Sequence, residues 1–211
     1  MNTLTLLTEL KEYANTKDEI IIAYLIETFD REYRDAELKK SGKGSTVQLT
    51  RRFEKILSKA SEKFSKCYNQ TIDGEKMQIL CFDGYYIIAL KEKYKSNAPK
   101  FSEEENRHIN FNNFLKIPDT CIKKDFDLPA YKIKLSELKA ESKKDKSIKN
   151  KAGTKYIYNI GETYYNLEWL VECAQCLGGD ITFYQGAHRL SPSYMVSNMG
   201  IALIMPINKT K

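Results

Sequence analysis

The sequence predicts an α+β fold, in which helices come first and antiparallel strands with a few helices laid on them follow. Up to about residue 66 the apolar residues recur at helical spacing, and from Tyr68 onward they fall into short runs typical of strands. Asp83-Gly84, between two such runs, indicates a tight hairpin turn. A length of 211 residues with 42% hydrophobic residues fits one domain with its own core, or one domain with an appendage.

The first 45 residues are predicted to form a helical extension. Residues 3–14 and 17–38 carry apolar side chains at helical spacing. The loop at residues 41–45 contains two glycines and ends the second of these helices. We therefore expect an N-terminal helical hairpin over residues 1–45, followed by a main domain at residues 46–211.

A third helix is predicted at residues 46–66, where Ser45 and Gln48 are spaced as a capping box. Its apolar stripe consists of Leu49, Phe53, Ile56, Leu57, Ala60 and Phe64. On another face, four cations spaced four residues apart are expected to form one basic line. These cations are Arg51, Lys55, Lys59 and Lys63.

The rest of the chain is expected to be mainly strands, at residues 68–72, 76–82, 85–91, 107–111, 122–126, 131–135, 154–160, 163–165, 181–185 and 201–206. Residues 95–106 are expected to form a polar loop, and residues 139–151 a lysine-rich, solvated helix end and loop. Asn166 is predicted to cap a further helix that Gly178-Gly179 stops.

No pattern in the sequence predicts catalysis or a metal site. Cys173-Ala-Gln-Cys176 is a C-x-x-C pair, but zinc would need two more ligands, and His108 and His188 are isolated. Structural thiols are the favoured interpretation, with metal or redox roles as alternatives. Hydrolase motifs such as G-x-S-x-G and H-E-x-x-H do not occur, so we expect a protein that is not an enzyme and has no cofactor.

The basic line on the third helix is the best binding candidate, since four cations on one helix face suit a phosphate backbone. The glycine loop lacks the spacing of a phosphate-binding P-loop, although Lys43 could still contact a phosphate. An ordinary solvated helix face is the alternative, because Glu54 and Glu62 dilute the charge and the net charge of +6 is modest. The candidate nucleic-acid-binding residues are Lys43, Arg51, Arg52, Lys55, Lys59 and Lys63.

Several segments resemble one domain of the DNA sliding clamps, the processivity rings of replicative polymerases. I-L-C-F-D-G-Y-Y-I-I-A-L at residues 79–90 is similar to the clamps' T-D-G-y-r-L-a stretch. Y-K-I-K-L-S-E-L at residues 131–138 is similar to a clamp strand that feeds a helix, and Y-N-L-E-W-L at residues 165–170 to a clamp helix start. G-I-A-L-I-M-P-I at residues 200–207 resembles the terminal strand that ends M-P-v in bacterial clamps.

The resemblance implies antiparallel sheets with two helices lining the DNA side, one of them carrying the basic line. The second lining helix, at residues 166–177, carries Glu168 and Glu172 and no lysine, so it is expected to be a poor DNA face. A bacterial clamp subunit has three such domains and this chain has one, so a closed ring would require a homo-oligomer.

We therefore expect a non-enzymatic, clamp-like binding protein of a phage or mobile element that contacts DNA or a DNA-processing protein. The alternative is a phage-type, anti-CRISPR-like inhibitor that blocks a host nuclease or nucleoprotein complex, with some of the 14 tyrosines as interface anchors. The polar N-terminus, the short apolar runs and the odd number of cysteines favour the cytoplasm and no membrane segment.

Overall fold

In a computed structural model of the protein, the structure describes residues 44–96, 98–144 and 156–208, together with Phe29 and Tyr33. Packing divides the chain into Met1–Gln48 and Leu49–Lys211. The second of these units is described below. The hairpin expected in residues 1–45 and the candidate Lys43 lie outside the described residues, apart from Phe29, Tyr33 and residues 44–45, which begin a helix.

The described residues form an α+β fold around one large antiparallel sheet, which confirms the predicted class. The sheet contains seven of the described strands in the order β1-β2-β3-β9-β8-β7-β4, and β5 pairs with β6 in a separate hairpin. The strands are β1 (Tyr68–Ile72), β2 (Glu75–Phe82), β3 (Tyr86–Lys91), β4 (Ile122–Lys124), β5 (Ile157–Ile160), β6 (Thr163–Asn166), β7 (Thr182–Gln185), β8 (Ser193–Ser197) and β9 (Gly200–Ile204). The helices are α1 (Gly44–Leu57), α2 (Glu103–Arg107), α3 (Asn112–Leu115), α4 (Leu128–Lys144) and α5 (Leu167–Leu177).

The central strands are buried on both faces because each face of the sheet has its own cover. Leu80, Ile88 and Ala202 point to one face and pack in the same cluster as apolar side chains of α1, α4 and α5. Ile79 and Ala89 point to the other face, where they pack with α3 and neighbouring loop residues. The face that carries α1, α4 and α5 is called the helical face below.

A helix followed by a three-stranded meander occurs twice in the described chain. The first unit is α1-β1-β2-β3 and the second is α5-β7-β8-β9, and the two meet where β3 pairs with β9. Strands β3 and β9 approach closely at this junction, because a Cβ on Gly200 would lie 2.0 Å from the Ala89 carbonyl oxygen. Only glycine fits this position without moving the central strand pair.

Two Asp-Gly turns set the first meander. Asp83 and Gly84 have φ values of 47° and 77°, which confirms the predicted turn between β2 and β3. Asp73 and Gly74, with φ values of 47° and 82°, make the same kind of turn between β1 and β2.

The outer edge of β1 is covered by side-chain amides instead of another strand. The Asn69 N–H donates to Oδ1 of Asn106 at 2.9 Å. Asn112 accepts from the Asp73 N–H at 3.3 Å and donates to the Thr71 carbonyl at 3.1 Å. These contacts satisfy backbone groups that an unpaired edge would otherwise expose.

The helix predicted at residues 46–66 is shorter in the structure, where α1 ends at Leu57. The Lys59 N–H donates to the Ile56 carbonyl, three residues back, which tightens the last turn. The backbone N–H and the hydroxyl of Ser61 then both donate to Oδ1 of Asp83, at 3.1 and 2.7 Å. The chain therefore turns toward the β2–β3 hairpin before a 3-10 turn at Glu62–Phe64.

The strand predicted at residues 131–135 is wrong, because this segment lies inside α4. Asp127 accepts a hydrogen bond from the Ala130 N–H at 3.0 Å and so caps the first turn. Apolar residues alternate here, but Leu135 is buried whereas Ile133 is 65% exposed, so the alternation does not mark a strand face.

The strand predicted at residues 107–111 is also wrong, and the polar loop predicted at residues 95–106 contains part of a helix. Ser102 and Glu105 form a capping box that starts α2. In the turn-rich stretch after β7, by contrast, the structure adds a strand that the sequence did not predict, β8.

Candidate functional site

A groove of 390 Å³ opens between α1 and α4, and α5 forms its floor. The three helices lie on the helical face of the sheet. The groove is lined by Arg52, Lys55, Ile56, Lys59, Lys132, Leu135, Lys139, Glu168, Val171, Glu172 and Gln175. It is called the helix groove below.

The floor is set by the local sequence of α5. The Asn166 side chain accepts from the backbone N–H groups of Glu168 and Trp169, at 2.9 and 3.3 Å, and fixes the start of the helix. Glu168, Glu172 and Gln175 then recur at four- and three-residue spacing, so they share the face that lines the groove. The opposite face of α5 is apolar and packs in the core.

The α1 wall is tied to this floor by two polar contacts. Arg52 donates through Nη1 to the Gln175 carbonyl oxygen at 3.0 Å, which orients the guanidinium group at the groove. Lys59, two residues beyond the end of α1, forms an ion pair with Glu172, with 2.8 Å between Nζ and Oε1. Burial disfavours the ammonium charge of Lys59, but the hydrogen bond and the charge of Glu172 together raise its pKa.

Glu172 also has a contact beneath the groove. The fully buried Tyr86 of β3 donates its hydroxyl to Oε2 of Glu172 at 3.1 Å. Burial, followed by neighbouring acidic groups, raises the pKa of the Tyr86 phenol far above its usual range, so the hydroxyl stays a donor. Glu172 therefore links a lysine at the rim to the sheet below.

The α4 wall contributes cations that the sequence did not identify. Lys139 forms an ion pair with Glu168 at 2.6 Å, and its Nζ lies 5.5 Å from the centre of the Tyr156 ring. Lys132 lines the same groove two helical turns away, and Leu135 between them is buried in the core. This spacing brings the two lysines onto one face of α4.

Five cationic and two anionic side chains line the helix groove, a net of three positive charges. Two of the lysines are held by the two glutamates, as described above. Within the part of the chain that the structure describes, the ammonium groups of Lys55 and Lys132 have no hydrogen-bond or ion-pair partner. Their ammonium groups can therefore contact an external anion without breaking an internal pair.

The structure brings three of the predicted site residues together and separates Arg51 and Lys63 from them, while Lys43 lies outside the described residues. Arg52, Lys55 and Lys59 line the helix groove. Arg51 is exposed and has another partner, and it does not line the groove. Lys63 lies in the 3-10 turn, with its Nζ 5.5 Å from the centre of the Phe64 ring.

The helix at residues 166–177, expected to be a poor DNA face because of its glutamates, is α5. Glu168 and Glu172 do make α5 acidic, yet each of them pairs with a lysine from a neighbouring segment. The basic partner of α1 in this groove is α4. A helical spacing of Lys132, Leu135 and Lys139 was present in the sequence, but the alternation of apolar residues in the same segment favoured a strand.

The C-x-x-C cysteines lie in the hydrophobic core. Cys173 and Cys176 are fully buried on the apolar side of α5. Burial raises the pKa of the Cys176 thiol to about 12, and that of Cys173 well above its usual range. Among the described residues, no three His, Cys, Asp or Glu side chains come close enough together to hold a metal ion.

Comparisons with known proteins assign the chain to no family, because no protein-family model, no curated protein and no solved structure matches it. None of the described helices combines the length and the apolar character needed to cross a lipid bilayer.

Proposed function

We propose that this protein is a non-enzymatic DNA-binding protein that holds the phosphate backbone in the helix groove. The observation that carries the proposal is the convergence of five cations from the two walls. Two of them, Lys55 and Lys132, have ammonium groups without a partner among the described residues. Lysine and arginine are the side chains that contact phosphate oxygens most often, and they release condensed counterions when they do so.

The composition of the groove favours binding that does not depend on base sequence. Its cations are mainly lysines, which contact phosphates as point charges, and the Arg52 guanidinium is partly engaged by a backbone carbonyl. The exposed position of Lys55 and Lys132 suits a backbone that lies across the groove.

The clamp resemblance supports the same proposal. A helix leads into a three-stranded meander twice, and both helices lie on the helical face. We propose a clamp-like scaffold of a phage or mobile element, in which a copy of this domain contributes α1, α4 and α5 to a DNA-facing surface. A closed ring would need several copies, so light scattering of the purified protein tests encirclement directly: a monomer excludes it.

The alternative of a protein-blocking inhibitor receives less support from the described residues. Its premise was a tyrosine-rich surface, yet the described tyrosines are buried or half-buried, except Tyr33 and Tyr164, which are 38% and 37% exposed. A pull-down that recovers a nuclease or its ribonucleoprotein, by a protein without affinity for DNA, would favour the inhibitor.

Charge reversal in the groove tests the proposal. The triple variant Arg52→Glu, Lys55→Glu, Lys132→Glu is compared with wild type for binding of a fluorescent 20-base-pair duplex by anisotropy. Three to five phosphate contacts in the helix groove contribute a slope of about −2.7 to −4.5 to the dependence of log affinity on log salt. We expect the variant to lose at least about 100-fold in affinity and most of this slope.

A matched control keeps the overall charge change the same. Lys116, Lys123 and Lys124 are exposed lysines outside the helix groove, and their replacement by glutamate also removes six units of charge. We expect this control to bind within about five-fold of wild type. Equal losses in both variants would mean that net charge, and not the groove, determines binding.

A further inference from the structure

A second basic groove lies on the helical face, at the β1 end of the sheet. It has a volume of 410 Å³ and is called the edge groove below. Its lining residues are Asn69, Gln70, Thr71, Lys76, Met77, Gln78, Glu92, Lys95 and Lys100. Three of these are cations and one is a carboxylate, so the edge groove carries a net of two positive charges.

The three lysines converge on the single carboxylate. Lys95 forms an exposed ion pair with Glu92 at 3.1 Å. This hydrogen bond and charge lower the pKa of Glu92, and the charges of Lys76 and Lys100 lower it further. Among the described residues, Lys76 and Lys100 have no ion-pair partner of their own, so their charge is available to an external anion.

Backbone contacts fix the segments that carry these lysines. Lys100 follows Pro99, whose carbonyl accepts from the Cys67 N–H at 2.7 Å, in a parallel bridge beside β1. The segment that carries Lys95 is held to β2 by Gln78, which is buried. Its Oε1 accepts from the Ser96 N–H at 2.6 Å, and its Nε2 donates to the Ser96 carbonyl at 3.2 Å.

α1 forms a wall of the helix groove and is connected to the edge groove through Cys67. Arg52 and Lys59 reach from α1 and its end toward α5 and line the helix groove. Cys67 lies close to both α1 and the edge groove, because it packs in one cluster with Phe53 and Ile56 and its backbone pairs with the segment that carries Lys100. Burial, then the charge of Glu54 on α1, raises the pKa of the Cys67 thiol to about 12, and the charge of Lys100 opposes this rise.

We propose that one DNA molecule crosses α1 and places phosphates in both grooves. This inference rests on the DNA-binding function proposed above and defines a longer footprint for it. Strands in a sheet are about 4.8 Å apart, so the two or three strand spacings from β1–β2 to β3–β9, against which α5 packs, correspond to a lateral distance of roughly 10–15 Å across the sheet. Each strand of a duplex advances about 3.4 Å per base pair, so about four base pairs cover this distance.

The test neutralises only the edge groove, in the variant Lys76→Gln, Lys95→Gln, Lys100→Gln. The affinity for the 20-base-pair duplex is measured from 50 to 300 mM salt. Two or three lost phosphate contacts should lower the magnitude of the salt slope by about 1.8 to 2.7 and weaken binding at least about ten-fold at low salt. The control is Lys116→Gln, Lys123→Gln, Lys124→Gln, which removes the same charge elsewhere.

The outcomes separate this inference from the proposed function. If the edge-groove variant has the same salt slope as its control, DNA does not contact the edge groove and this inference is overturned. Loss of binding in the helix-groove variant would then still support the proposed function. Wild-type binding in both groove variants overturns both. The three lysines are exposed, so the variants should keep the thermal unfolding midpoint of wild type, which circular dichroism checks.

Discussion

Glu172 offers a prediction in which stability and DNA affinity change in opposite directions. Its carboxylate accepts from Lys59 at 2.8 Å and from the Tyr86 hydroxyl at 3.1 Å, and its side chain is only 19% exposed. Glu172→Gln keeps the shape and an acceptor for Tyr86 but removes the negative charge. The ammonium group of Lys59 then loses its internal partner and can contact DNA.

The magnitude follows from the charges in the groove. Lys59 is 46% exposed, so its ion pair contributes no more than about 0.2–1 kcal/mol to the free energy of unfolding. In the complex, a carboxylate and a phosphate roughly 8 Å apart repel by about 0.5–2 kcal/mol, which corresponds to about a two- to thirty-fold change in affinity. One added phosphate contact should also steepen the salt slope by about 0.9.

Two measurements on the same protein check this prediction: urea unfolding for stability, and anisotropy with the 20-base-pair duplex for affinity. Glu137→Gln is the matched control, because Glu137 pairs with Lys134 at 2.9 Å on α4 and does not line the helix groove. We expect the control to leave DNA affinity within about two-fold of wild type. Unchanged or weaker DNA binding by a folded Glu172→Gln protein would refute the idea that Glu172 keeps Lys59 from contacting the DNA.

Two further predictions concern the core. Gly200→Ala would place a Cβ 2.0 Å from the Ala89 carbonyl oxygen. We therefore expect the free energy of unfolding, measured in urea, to fall by about 1–3 kcal/mol or more. Wild-type stability of this variant would show that β3 and β9 are not this close. In native protein at pH 8, a thiol reagent should label the half-buried Cys121 first. Cys67 and Cys176 are buried and have pKa values of about 12, so only about one in ten thousand of these thiols is deprotonated at pH 8. Mass spectrometry identifies the labelled residues, and fast labelling of Cys176 would contradict its place in the core.

The elements that the sequence predicted correctly are those with strong local signals. The helix after Asn166 begins and ends as expected, because an asparagine caps it and Gly178 follows it with a φ of 57°. The turn at Asp83-Gly84 likewise depends on residues that favour positive φ. Such signals act within a few residues, so they predict local structure without reference to the rest of the fold.

The helix groove could be predicted only in part, because it depends on contacts between distant segments. Arg52, Lys55 and Lys59 were identified from their helix, but their neighbours on α4 were assigned to a strand and to a solvated helix end and loop. The pairing of Lys139 with Glu168 joins residues 29 positions apart. Periodicity describes one segment at a time, and it cannot tell which two helices will share a groove.

The amide cover of β1 limits how copies of this protein can join. A second chain that added a strand at this edge would first have to displace Asn106 and Asn112 from the three hydrogen bonds they make with the β1 backbone and its turn. Backbone groups that are already bonded give a new strand little to gain. Any ring or filament of this protein must therefore be built through a surface other than the open side of β1.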